Sequence, residues 1–107
     1  MTQGLTVRLA QLAARHQTVT YGALARDLGL TGPATIARLT AALEALMEDD
    51  AARNHPFRAA LVSGRLNQNL PATGFFEKAA RLGRYNGEDQ GTYITQERAA
   101  LYAIFCP

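Results

Sequence analysis

The sequence predicts a mainly α-helical chain with a small β-hairpin, ordered as a winged helix-turn-helix. Three observations carry that expectation. Apolar residues recur at helical spacing through the first half of the chain. A short helix stopped by Gly29 is followed closely by a long one, the arrangement of a helix-turn-helix. After Pro56 the pattern changes to a strand-length run broken by Gly64 and a polar stretch, which is how a wing reads.

Leu5, Leu9, Leu12, Ala13 and His16 share one face of a helix predicted over about residues 4 to 16, while Thr6, Arg8, Gln11 and Arg15 fall largely elsewhere. Val19 reads as a short extended residue before Thr20, a good N-cap for a helix over about residues 21 to 28. Leu24, Ala25 and Leu28 give that helix its apolar side, and Gly29 suits the left-handed position after it. Gly32-Pro33 reads as the start of the third helix, which extends to about Ala52. Its apolar stripe is Ile36, Leu39, Leu43, Leu46 and Met47. Glu48, Asp49 and Asp50 oppose the macrodipole near its C-terminal end, so fraying is expected there.

Asn54-His55-Pro56 breaks the helical pattern, and Phe57–Ser63 has strand length. Gly64 with Arg65, Asn67, Gln68 and Asn69 reads as the hairpin tip. Residues 75–83 predict a short helix stopped by Gly83, and Asn86-Gly87 predicts a turn. Thr92 is the expected cap of a last helix in which Ile94, Leu101, Tyr102 and Phe105 can pack.

At 107 residues the chain is expected to form one domain, 1–107. Apolar types make up 48% and charged types 19%, enough for a core and against disorder. No apolar run approaches the ~20 residues of a membrane span, and the N-terminal residues lack the apolar region of a signal peptide. One cysteine, Cys106, rules out a disulfide framework and points to a reducing cytoplasm. One thiol and two histidines are too few for a structural zinc site.

The net charge of +2 does not itself point to nucleic acid, but its distribution is uneven. Residues 1–50 are −1, residues 51–87 are +5 and residues 88–107 are −2.

Catalytic chemistry finds little support. Cys106 lies where chains fray, and an incidental terminal thiol is the simpler reading. His16 reads as a helix-end or core histidine and His55 as a polar loop residue. The acids 48–50 lack the alternation and glycine of a calcium loop, and a solvated helix end is the default. Neither a phosphate-cradling glycine loop nor a nucleophile–base pair is legible, so no enzyme activity, cofactor or metal is expected.

DNA binding has more behind it. In a winged helix the start of the third helix enters the major groove, and here that surface offers Thr31, Thr35 and Arg38. Arg38 could pair with a guanine edge or a phosphate, and a solvated arginine is an equal reading. Arg58 and Arg65 flank the predicted hairpin, with Asn67 and Gln68 at its tip. Lys78, Arg81 and Arg84 are spaced by three on one face of the next helix, where a solvated face is the commoner meaning. The acidic remainder limits how many phosphates can be neutralised.

The stretch TVTYGALARDLGL resembles the DNA-binding domain of the DNA alkylguanine alkyltransferases and alkyltransferase-like proteins, and the resemblance resumes at ALVSGRLNQNLPATGFFEKAARLG. The matched stretches cover about a third of the chain. A segment LPATGFFEKAARLGRY also resembles part of short bacterial proteins of unassigned function. The alkyltransferase resemblance implies a winged helix that binds the minor groove and rotates a nucleotide out of the duplex. It implies that Tyr21 touches the phosphate of that nucleotide and that Arg38 fills the vacated stack. The alkyl-accepting proline-cysteine-histidine-arginine motif is replaced by HPFRAALVS, with Ala59 and Ala60 near the place of the nucleophile. Alkyl transfer is therefore not expected. The expectation is a non-catalytic DNA-binding protein, with damaged or distorted DNA as a candidate target. The alternative is a protein-interaction module, pairing as a homodimer through Ala37, Ala41, Ala42 and Ala45 of the third helix or with a different partner.

Overall fold

The structure is a computed structural model that describes residues 2–64 and 69–105. Its elements are α1 (Thr2–Ala14), β1 (Val19–Thr20), α2 (Tyr21–Asp27), α3 (Thr35–Ala52), a 3-10 helix (Arg58–Leu61), β2 (Val62–Ser63), α4 (Thr73–Arg81) and α5 (Gln90–Phe105). The described residues thus form a mainly helical fold with a small two-stranded sheet. No helix among them is long and apolar enough to cross a membrane.

The helical stripes become the core. Leu5, Leu9, Leu12 and Ala13 of α1 are buried with Leu24 and Ala25 of α2 and Leu39, Leu43, Leu46 and Met47 of α3. Phe57, Phe75, Phe76, Ile94 and Leu101 complete this interior. Burying each leucine, isoleucine, methionine or phenylalanine of this set stabilises the fold by roughly 1.5–3 kcal/mol. Two stripe members depart. Ile36 is 47% exposed, because the first turn of α3 stands clear of the core: Ala34, Ala37 and Arg38 beside it are exposed as well. His16 lies beyond α1 in a turn with φ 55° and is exposed, its ring stacked on Tyr102 at 4.5 Å.

The predicted strand Phe57–Ser63 is mostly a 3-10 helix, and only Val62–Ser63 is extended. β2 pairs in parallel with β1, Val19 opposite Val62 and Thr20 opposite Ser63. The sheet among the described residues is therefore not the expected hairpin. The physical reason is that 59–62 are buried on all sides, so their apolar run has no period to separate strand from compact turn. Side chains then fix the turn. The Asp50 carboxylate accepts the Arg58 N–H at 3.0 Å, and Arg98 Nε donates to the Ala60 carbonyl at 2.8 Å. The chain does fold back after β2, since the Gly64 N–H donates to the Leu70 carbonyl at 2.9 Å. The expected hairpin tip at Arg65, Asn67 and Gln68 lies outside the described residues.

Two helix ends also differ. The expected cap of α5 at Thr92 is instead Asp89, whose carboxylate accepts the Thr92 N–H at 2.9 Å and hydroxyl at 3.1 Å. At the acidic end of α3, Glu48 and Asp49 are exposed, as expected of a solvated end, whereas Asp50 is not. Asp50 is fully buried there and α3 continues to Ala52.

Candidate nucleic-acid interface

Three of the candidate residues, Tyr21, Thr35 and Arg38, belong to α2 and α3. The Thr20 side chain accepts the Ala23 N–H at 3.2 Å and starts α2. Gly29, with φ 72°, ends it, while the Leu30 N–H reaches back to the Ala25 carbonyl at 2.9 Å. Leu24 and Ala25 pack inward, so Arg26 on the same helix is left exposed.

The turn between the helices is held by α3 itself. Thr35 donates its hydroxyl to the Gly32 carbonyl, and Arg38 Nη2 donates to the Thr31 carbonyl at 2.8 Å. Ala34 precedes α3 in the left-handed conformation, φ 61° and ψ 22°, with no side-chain cap. A non-glycine residue is held there at a cost of about 1 kcal/mol. The result is a fixed, exposed first turn carrying Ile36 and Arg38.

Beside that turn runs an open groove of about 560 Å³, walled by Thr20, Tyr21, Gly22, Ala23, Arg26 and Ile36. Among the described residues, no acid lines it. The nearby Asp27 carboxylate is engaged by Arg8 Nε at 3.1 Å.

Of the expected contact residues, Tyr21 lines this groove, while Thr35 and Arg38 stand in the first turn of α3, bonded to Gly32 and Thr31. The Tyr21 hydroxyl accepts the Ala72 N–H at 3.1 Å, and burial pushes its pKa up. Arg38 uses one donor on Thr31, and a guanidinium carries five N–H groups, so capacity for a phosphate or a guanine edge remains.

Arg58 and Lys78 lie elsewhere and are engaged by the acids of α3. Arg58 Nε donates to Asp50 at 3.0 Å and Nη2 to Asp49 at 3.3 Å. Lys78 Nζ donates to Glu48 at 2.6 Å, and that hydrogen bond is the main reason the Glu48 carboxyl sits below its ordinary pKa. Arg84 stacks 4.4 Å over the Phe57 ring and donates to the His55 carbonyl at 3.1 Å and to Glu97 at 3.4 Å. Arg81 is exposed near Glu48. Within the +5 segment, Arg53, Arg58 and Lys78 thus balance the acidic end of α3, and Arg84 balances Glu97 of α5. Arg65, Asn67 and Gln68 lie outside the described residues.

Two residues of this face escaped the sequence reading. Arg26 was legible only as one charge outside the basic segment. Ile36 was hidden by sharing the apolar stripe of α3.

On the other side of Tyr21, a cavity of about 20 Å³ is walled by Glu44, Met47, Ala59 and Phe75 among others. That is room for about one water molecule and none for a nucleobase. Among the described residues no group of three or more His, Cys, Asp or Glu side chains could hold a metal ion. No family model, curated protein or solved structure matches the chain.

Proposed function

We propose that the chain is a non-catalytic protein that binds duplex DNA with its α2–α3 face. The observation that carries this reading is the exposed first turn of α3 beside a groove that holds Arg26 and, among the described residues, no acid. A helix-turn-helix uses its second helix in this way, with N-terminal residues on base edges and the first helix crossing the phosphate backbone. Arg26 and Arg38 supply phosphate contacts, and Thr31 and Thr35 supply hydroxyls at the rim. The resemblance of TVTYGALARDLGL to alkyltransferase DNA-binding domains supports the use of the same two helices, but the docking proposed here is the major-groove docking of a helix-turn-helix and not the minor-groove docking that the resemblance implies. The small cavity beside Tyr21 and Ala59 favours intact or bent duplex over a base captured in a pocket.

Duplex affinity measured by fluorescence anisotropy at about 50 and 200 mM salt tests the reading, since each phosphate contact adds about 0.9 to the salt slope. Arg26→Ala and Arg38→Ala should each weaken binding and reduce that slope by about one contact. Lys78→Ala, whose ammonium is engaged by Glu48, should leave the slope unchanged. Affinity indifferent to salt and to both arginines would overturn the proposal.

A second reading has one specific observation. Ala37, Ala41 and Ala45 are exposed at four-residue intervals along α3, a smooth surface suited to a second helix. Sedimentation at micromolar concentration distinguishes a dimer formed on that surface from a monomer.

A further inference from the structure

We propose that Ile36 is the base-reading residue of the α2–α3 face, and that it reads the 5-methyl group of pyrimidines in the major groove. The inference rests on the DNA-binding reading and goes beyond it by naming what is recognised.

Three observations meet at this side chain. Ile36 is 47% exposed although it belongs to the apolar stripe of α3. It stands in the first turn of the second helix of the pair, the turn that faces base edges when such a unit docks. It also walls the groove that Arg26 lines, so an apolar side chain and a cation suited to a phosphate border the same opening. Val7 and Ile104 are exposed to a similar degree, on α1 and α5, and neither lines this groove.

The chemistry narrows the ligand. An isoleucine offers no hydrogen bond, so it cannot distinguish donors from acceptors on a base edge. What it can distinguish is apolar surface, and the only apolar group a base pair displays in the major groove is the 5-methyl of thymine or of 5-methylcytosine. Covering that methyl removes apolar area from water on both partners. The minor groove has no methyl group, so the proposal also fixes the side of the duplex that α3 enters. The turn before α3 supports a contact of this kind. Ala34 is held left-handed and Arg38 is bonded to Thr31, so Ile36 is presented on backbone already ordered before binding.

The test uses the full chain and two pairs of duplexes that differ by a methyl group alone. The first pair is an alternating A·T duplex and its counterpart with uracil for thymine. The second is an alternating G·C duplex and its counterpart with 5-methylcytosine. In both pairs the wild type should bind the methylated member about four-fold more tightly at one fixed salt concentration, the worth of one buried methyl group. Ile36→Ala should bind both members equally, and Ile36→Val should keep most of the preference. The salt slope should be the same for all three proteins. An Ile36→Ala variant that still prefers the methylated member overturns the assignment to Ile36. A wild type that binds all four duplexes alike, with its salt slope intact, overturns the inference and leaves the DNA-binding reading standing. Absence of salt-dependent binding to any duplex removes both.

Discussion

The guanidinium of Arg98 enters the protein interior, 9% exposed, and is met by backbone oxygens. Its Nε donates to the Ala60 carbonyl and its Nη2 to the Asn69 carbonyl, both at 2.8 Å. Burial lowers its pKa, the expected direction for a cation taken out of water. Removing the side chain would leave the carbonyl of fully buried Ala60 without this donor and would untie Asn69 from α5. Arg98→Ala should therefore cost on the order of 3 kcal/mol in denaturant unfolding. Arg98→Lys should recover part of that loss, since an ammonium replaces the charge but not the planar fork. Tyr93 presents the opposite case. Its hydroxyl is buried with no hydrogen-bond partner among the described residues, and burial raises its pKa strongly. Its ring packs with Phe76 and Tyr85 at 6.5 and 5.0 Å. Tyr93→Phe keeps the ring and removes the orphan, so it should raise stability by about 1 kcal/mol in the same experiment. A loss instead would mean that the hydroxyl has a partner in solution.

Among the elements, α5 shows how a helix end couples to pH. Asp89 accepts the N–H and the hydroxyl of Thr92, and the backbone bond is the larger cause of its lowered pKa. A carboxyl whose pKa falls on folding contributes stability that is complete above its ordinary value of 3.8. That contribution is lost as pH falls through the lower value of the folded state. Wild type should thus melt above Asp89→Ala at neutral pH, and the gap should close as pH drops below that window. Thermal melts of the two proteins from neutral to strongly acidic pH check this. The helices themselves were legible because a 3.6-residue period and residues such as Thr20 and Gly83 mark their faces and ends. The segment 57–63 was not, because a stretch buried on every side has no polar face to reveal its geometry. The cap of α5 was misplaced by three residues because Asp89 and Thr92 are both good cap types. The candidate face was half legible. Tyr21, Thr35 and Arg38 are local to one helix pair, whereas Lys78 meets Glu48 of α3 from 30 residues away, a pairing that no charge count along the chain shows.

At the scale of the whole molecule, the acidic end of α3 organises the second half of the chain. Asp50 is fully buried, and its carboxylate takes the Arg58 N–H at 3.0 Å and Arg58 Nη2 at 2.9 Å. Arg53 Nη2 and His55 Nδ1 each lie 3.5 Å from it. Asp50→Ala would strand the half-buried Arg58 guanidinium and free the start of the 3-10 helix, so it should cost about 3–5 kcal/mol. Equilibrium unfolding measures that loss directly. If DNA binding belongs to the α2–α3 face, protein that remains folded should keep the wild-type salt slope. The place of Arg98 has a consequence for how the chain is made. Ala60 and Asn69 lie in the middle of the sequence, yet their donor stands on the last described helix, which also packs against α1. While a ribosome is still adding residues short of 98, that middle segment has exposed carbonyls and α1 lacks the neighbour it packs on. Synthesis proceeds at about 5–20 residues per second, so the nascent chain spends seconds with its apolar stripes uncovered. Completion of the core is thus timed to the emergence of α5 from the exit tunnel.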